Sequence, residues 1–197
     1  MITIGLTGAS GSGKSYIAKL FSMYQIPTVN ADHIVHTLYQ TENECTAKLK
    51  ERFGDAVINT DHSVNRKVLG SIVFQDKAKL KLLNQTVHPF VICEIQKEIE
   101  KARQNAVKAI LIDAPQLFEA GLDRACNVII SVIADKNTRI QRIAARDHIS
   151  EQDAAQRLSH QYGDDFFKQH SDFCIYNSDC DNASEQIHTI LTTLGLI

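Results

Sequence analysis

Gly8-Ala9-Ser10-Gly11-Ser12-Gly13-Lys14-Ser15 is a complete G-x-x-x-x-G-K-[ST] segment, and it restricts the fold of this 197-residue chain more than any other stretch. The apolar run Ile2-Thr3-Ile4-Gly5-Leu6 precedes it and has the pattern of a buried strand. Tyr16-Ile17-Ala18-Lys19-Leu20-Phe21 follows and reads as the first turns of a helix. The motif needs that strand–loop–helix context. Gly8, Gly11 and Gly13 let the backbone turn tightly and bring its N–H groups to phosphate oxygens. The helix N-terminus adds partial positive charge. Lys14 would reach the β- and γ-phosphates, and the Ser15 hydroxyl would ligate Mg²⁺. A nucleoside triphosphate is therefore the expected ligand.

The rest of the sequence fits an α/β fold built around that loop. Continuous apolar runs at 27–30, 109–112, 127–133 and 173–176 suit strands of a parallel sheet covered on both faces. With the first strand they make five, and helical patterns lie between them. Residues from about 31 to 107 are nearly all helical in pattern, too long for a simple crossover, and are expected to hold a helical substrate-binding insert. A second excursion, about 135–170, has the place of a lid. The core is then about 1–30, 108–134 and 171–197 of a single unit. His88-Pro89 is expected to open a long amphipathic helix, with Pro89 in its first turn and Val91, Ile92, Ile95 and Ile99 on its apolar face.

Charge narrows the partners. The chain has 21 basic and 23 acidic residues, for a net charge of −2. That balance argues against broad nucleic-acid or membrane binding. No apolar stretch approaches membrane-spanning length, and a strand that starts at residue 2 leaves no room for a signal peptide. The five cysteines show no C-x-x-C spacing and read as thiols of a reducing cytoplasm. Composition says nothing about oligomeric state.

Several charged residues stand where phosphoryl transfer needs them. Asp32 follows the second strand, and ligands of open parallel sheets sit at the carboxyl ends of strands. Its carboxylate is either a base for an acceptor hydroxyl or a cap for the helix beginning near His33; position alone does not decide. His33 and His36 share a helix face without a third metal ligand, which favours a solvated face. Ile110-Leu111-Ile112-Asp113 resembles a Walker B strand whose acid holds Mg²⁺. Asp113-Ala114-Pro115-Gln116 lacks the glycine of a GTPase D-x-x-G, and no N-K-x-D occurs, so a switch GTPase is disfavoured. Arg139, Arg142 and Arg146 form one stripe at i, i+3 and i+7. On a closing lid they would clamp phosphoryl oxygens; otherwise they make a solvated basic face paired with Asp135 or Asp147.

In this order the motifs resemble the dephospho-CoA kinase family over nearly the whole chain. The likeness runs through Gly5-Leu6-Thr7-Gly8 and the glycine-rich loop, Asn30-Ala31-Asp32, Arg52-Phe53-Gly54, Arg66, Leu69, Ile72-Val73-Phe74-Gln75-Asp76 and Val87-His88-Pro89. It continues through Pro115-Gln116-Leu117-Phe118-Glu119, Arg142, Arg146-Asp147 and Ser171-Asp172-Phe173-Cys174-Ile175-Tyr176-Asn177. The resemblance implies a P-loop kinase with core, lid and helical CoA domain that uses ATP to phosphorylate the ribose 3′-hydroxyl of dephospho-CoA. It makes Asp32 the base, puts Arg142 and Arg146 on ATP phosphates with Tyr16 in the nucleotide-binding stretch, and sets Asn177 near the adenine. It assigns Arg66, His88, Pro115, Leu117 and Glu119 to the acceptor side. The chain departs from the family pattern at Asn30, Gln116 and Tyr16. It departs again at Asp164 and Asp165, which remove positive charge from the lid stretch. The alternatives are another small-metabolite or nucleoside kinase, disfavoured by His88 and Pro115–Glu119, and a nucleotide-binding regulator without turnover, disfavoured by Lys14, Ser15, Asp32 and Arg142.

Overall fold

A computed structural model describes residues 1–197. Five strands form one sheet: β1 (Ile2–Thr7), β2 (Thr28–Asn30), β3 (Ala109–Asp113), β4 (Val128–Ile133) and β5 (Phe173–Tyr176). Their spatial order is β2-β3-β1-β4-β5. β1 pairs in parallel with β3, Leu6 opposite Asp113, and with β4, Thr7 opposite Ser131; β4 pairs in parallel with β5. The five apolar runs thus become five strands, each end within a residue of its expected place. Their unbroken hydrophobicity reflects burial on both faces: Ile4, Leu6, Leu111, Ile130 and Ile175 have no exposed surface. β1 is central, and the chain leaves it for β2 and β3 on one side and β4 and β5 on the other. The segment after β1 therefore sits where strand order reverses, the usual ligand crevice of an open parallel sheet.

Nine helices complete the chain: α1 (Lys14–Ser22), α2 (Ala31–Leu38), α3 (Glu44–Phe53), α4 (Arg66–Val73), α5 (Lys77–Gln104), α6 (Lys136–Asp147), α7 (Glu151–Leu158), α8 (Asp164–His170) and α9 (Ala183–Thr193). The chain divides into two units, residues 1–29 with 101–197, and residues 30–100. In the first, Ile17 and Phe21 of α1 and Ile187 and Leu191 of α9 close over the sheet. α6 and α7 add a small core of their own, Ile143, Ala154 and Leu158. The second unit is helical but for a 3-10 turn at Asp55–Val57 and an isolated antiparallel bridge between Ile58 and Val64.

Two local expectations need correction. The long helix does not open at His88-Pro89; it starts eleven residues earlier at Lys77, with the Asp76 carboxylate accepting the Ala78 and Lys79 N–H groups at 2.8 and 3.2 Å. Proline removes one helical hydrogen bond and costs roughly 3 kcal/mol inside a helix. The flank Lys77–Leu83 is rich in good helix formers, and Val87, Val91, Ile95, Ile99 and Ala102 bury a stripe along both sides of Pro89. Those terms outweigh the break. The cap of α2 is Asn30, not Asp32: its side chain accepts the His33 N–H at 2.8 Å. Asp32 lies inside the first turn, its residue exposed.

Candidate active site

The loop between β1 and α1 is held in a shape only glycine fits. Gly11 and Gly13 have φ of 78° and 86°, in the left-handed region. A Cβ on Gly11 would lie 2.6 Å from the backbone oxygen of Arg139, and one on Gly13 would collide with the Asn177 side-chain amide. The loop is thus packed between the start of α6 and the end of β5. Ser12 is buried, and its hydroxyl has no hydrogen-bond partner. Lys14 and Ser15 are the first two residues of α1, so the backbone amides of a helix N-terminus point out of the same turn.

Charged and polar side chains converge there from α1, the end of β3, α6 and the residue after β5. Lys14 Nζ pairs with the carboxylate of Asp113, the buried last residue of β3. Arg142, on α6, donates from one guanidinium nitrogen to the Asn177 carbonyl at 2.9 Å and to the Gly11 carbonyl at 3.5 Å. Asn177, just past β5 and buried, donates from its side chain to the Ser12 carbonyl at 2.8 Å and from its backbone to the Ile133 carbonyl at 2.8 Å. The resemblance sets Asn177 near a base; in the structure its amide ties the phosphate loop to β4 and β5. Buried polar groups are costly unless paired. Asp113, Arg139, Asn177 and Ser12 gather at this edge of the sheet, which marks it as a built site.

The arginine stripe splits. Arg142 reaches the loop. Arg139 is 8% exposed, and its guanidinium pairs with Asp164 at 3.2 Å. Arg146 turns away: it makes a bidentate pair with Asp147 at 2.7 and 2.9 Å, and Arg157 joins the same carboxylate at 2.7 Å. These hydrogen bonds hold the Asp147 carboxyl below its usual range and push Arg146 up. Tyr16 is 51% exposed on α1. The Gln161 side chain, which no sequence signal singled out, accepts the Ser10 N–H of the loop at 2.9 Å.

After β3 the chain turns through Pro115–Glu119. Leu117 is fully buried and packs where Gly5 has no side chain; a Cβ there would meet its methyl group at 3.1 Å. The Pro115 carbonyl accepts the Thr7 hydroxyl at 3.4 Å. Phe118 packs edge-on against Phe166 of α8, with ring centroids 5.2 Å apart. Glu119 remains largely at the surface, and partial burial pushes its carboxyl above the usual carboxylate range. In the other unit Arg66 opens α4 with its guanidinium 5.3 Å from the Tyr39 ring, while His88 is half-buried within α5. His36 bonds Gln40 at 2.8 Å. No group of three or more His, Cys, Asp or Glu side chains clusters as a metal site. A phosphate-bound Mg²⁺ does not need one, since substrate oxygens and water fill most of its shell.

Known proteins agree with this geometry. The sequence model of the dephospho-CoA kinase family matches residues 2–182. A dephospho-CoA kinase of Lactobacillus johnsonii is 36% identical over 158 residues, 80% of each chain. One from Oryza sativa subsp. japonica is 35% identical over 196 residues, 99% of this chain and 85% of its own. A crystal structure of a Thermus thermophilus protein superposes with a TM-score of 0.80 at 25% identity, covering 98% of this chain and 96% of that one. The phosphate loop, the five-stranded parallel sheet and these matches lead to one conclusion: the chain belongs to the dephospho-CoA kinase family.

Proposed function

We propose that this enzyme transfers the γ-phosphoryl group of ATP to the ribose 3′-hydroxyl of dephospho-CoA, giving CoA and ADP. The observation that carries the reading is the convergence of Lys14, Asp113 and Arg142 on a glycine-shaped loop at the carboxyl end of β1. Phosphoryl transfer needs little covalent help from a protein; it needs positioning and neutralisation of charge. The loop amides from Gly8 to Ser15 cradle the phosphates. Lys14 and Arg142 place positive charge on the transferring group, where a water-poor site makes it effective. Arg146 serves the nucleotide only by leaving Asp147.

Ser15 and Asp113 are hard oxygen donors on adjacent elements, a set suited to Mg²⁺. Those two side chains would hold such an ion, which would supply positive charge against the transferring phosphoryl group. Asp113, which pairs with Lys14 in the structure, would supply a carboxylate oxygen to the ion and leave Lys14 to the phosphates. Asp32 takes the acceptor proton. Asn30 performs the capping, which leaves the Asp32 carboxylate available, and α2 begins directly at the carboxyl end of β2, in the sheet that carries the loop. The 3′-oxygen forms the new P–O bond, the bond to the ADP oxygen breaks, and the hydroxyl proton passes to Asp32. Arg66, His88, Pro115, Leu117 and Glu119 are assigned to the acceptor side, Leu117 by shaping the turn, not by contact. Residues 31–107 are the acceptor-binding insert and 135–170 the lid.

No helix is long and apolar enough to cross a membrane. Its five free thiols suit a reducing compartment, which supports the reading of a cytoplasmic enzyme that acts on small molecules. The test is ADP release with dephospho-CoA set against a panel of nucleosides and small alcohols. Turnover with dephospho-CoA alone is the expected result. Equal or better turnover with a nucleoside overturns the substrate assignment.

A further inference from the structure

Two donors of the phosphate site are held by acceptors from one short turn. Gln161 Oε1 accepts the Ser10 N–H at 2.9 Å, and Asp164, three residues on, holds Arg139 at 3.2 Å. The Arg139 backbone lies against the loop: a Cβ on Gly11 would be 2.6 Å from its carbonyl oxygen. The arginine side chain is nine-tenths buried, and its Nε has no partner; the Asp164 side chain is a third exposed. The turn is anchored behind by stacking of Tyr162 on Phe166, centroids 3.8 Å apart, and by the contact of Phe166 with Phe118.

A guanidinium and an outward-pointing loop amide are both anion-binding groups. A carboxylate and an amide oxygen are the acceptors to which such groups donate when phosphate oxygens are not on them. The unpartnered Nε shows that Asp164 satisfies Arg139 incompletely. A buried cation left short of acceptors favours any ligand that brings more of them. We propose that the turn 161–164 is an internal competitor for the donor's phosphates: Asp164 and Gln161 occupy Arg139 and the Ser10 amide, and a polyphosphate displaces them, recruiting Arg139 as a further phosphate ligand and freeing the turn from the loop. Asp164 thereby weakens nucleotide binding and couples phosphate occupancy to the position of α8. This rests on the reading of Gly8–Ser15 as a phosphate site.

The experiment is calorimetric titration of the full-length protein with inorganic triphosphate, ADP, ATP and adenosine. Wild type, Asp164→Asn, Gln161→Ala and Lys14→Ala are compared, each checked for native circular dichroism. Asp164→Asn keeps the shape and loses the charge. It is expected to bind triphosphate and ATP about fivefold more tightly than wild type, the equivalent of one partly exposed ion pair. The gain should shrink for ADP and vanish for adenosine, a dependence on phosphate number that loss of packing would not produce. Gln161→Ala should show a smaller gain of the same kind and carries the test if Asp164→Asn does not fold. Unchanged or weaker triphosphate binding in the folded variants overturns the proposal and leaves the pair a structural tie. If wild type binds triphosphate no better than Lys14→Ala does, the phosphate-site reading itself fails, and the proposal with it.

Discussion

The two ends of α6 carry the same chemistry to different ends. At the start, Arg139 and Arg142 lie against the phosphate loop, one buried with Asp164 and the other bonded to Asn177 and Gly11. One turn further, Arg146 stands 62% exposed in a tighter, bidentate pair with Asp147. By geometry alone the second pair is the better ion pair. By energy it matters less, because water screens exposed charges and the side chains lose freedom in pairing. The first end is where removing a charge leaves a buried partner uncompensated. Sequence spacing shows only that the three arginines share a face; packing separates the two that lie against the loop from the one that does not.

The largest effect that would sharpen this contrast lies outside the helix. Asp32→Asn is expected to bind ATP and dephospho-CoA while kcat falls by about 10²–10⁴-fold, the usual worth of general-base help. Calorimetry of both ligands beside steady-state kinetics checks it. Turnover within about threefold of wild type, far short of that range, removes the base role from Asp32.

Within α6, Arg142→Ala should lower kcat/KM by about 10²-fold, in the range of other charge-stabilising donors, with Arg146→Ala as the paired control. Equal losses would break the comparison, since the exposed end would then matter as much as the buried one. Gly11→Ala tests the packing beneath it. Left-handed backbone costs a non-glycine residue roughly 1–2 kcal/mol, and the added methyl would press on the Arg139 backbone. Weaker ATP binding and a lowered Tm are expected; Gly121→Ala, also at positive φ but with open space around it, should lower Tm without changing ATP affinity.

Much of this was legible in the residues, for identifiable reasons. The glycines at 8, 11 and 13 and the five apolar runs carry local signals, so loop and strands fall where the pattern puts them. The Arg139–Asp164 pair joins positions 25 residues apart on different helices, and the Gln161–Ser10 contact spans 151. No spacing rule reaches that far. Asn177 was visible as a motif residue, but its bond to Ser12 needs β5 to lie beside β4. Asn30 shows the reverse case: the cap signal is present in the sequence, two residues before the acid that draws attention. Pro89 misleads because a helix start is a usual place for it, and only the buried stripe on both sides shows that the helix is already under way before it.

The smallest expected effect is on acid stability. Hydrogen bonds from the Thr138 hydroxyl and backbone lower the Asp135 carboxyl at the start of α6 to about 2. Arg146 lowers Asp147 at its end. A depressed carboxyl stabilises the fold above its unfolded pKa, and that contribution is lost as pH falls through the folded value. Both ends of α6 should therefore loosen below about pH 4. Asp135→Asn and Asp147→Asn should each flatten the acid limb of a Tm-against-pH curve. A limb as steep as that of wild type in both variants would mean that neither end holds the helix by charge.

In the proposed reaction the loop at β1 passes a phosphoryl group to the 3′-hydroxyl of dephospho-CoA under the charge of Lys14. Phosphorus NMR of the reaction with ATP and dephospho-CoA tests it directly. Wild type is expected to give a new phosphomonoester coupled to the ribose 3′ proton, and folded Lys14→Ala none. A phosphate on another position, or the same product at the wild-type rate from Lys14→Ala, would contradict it.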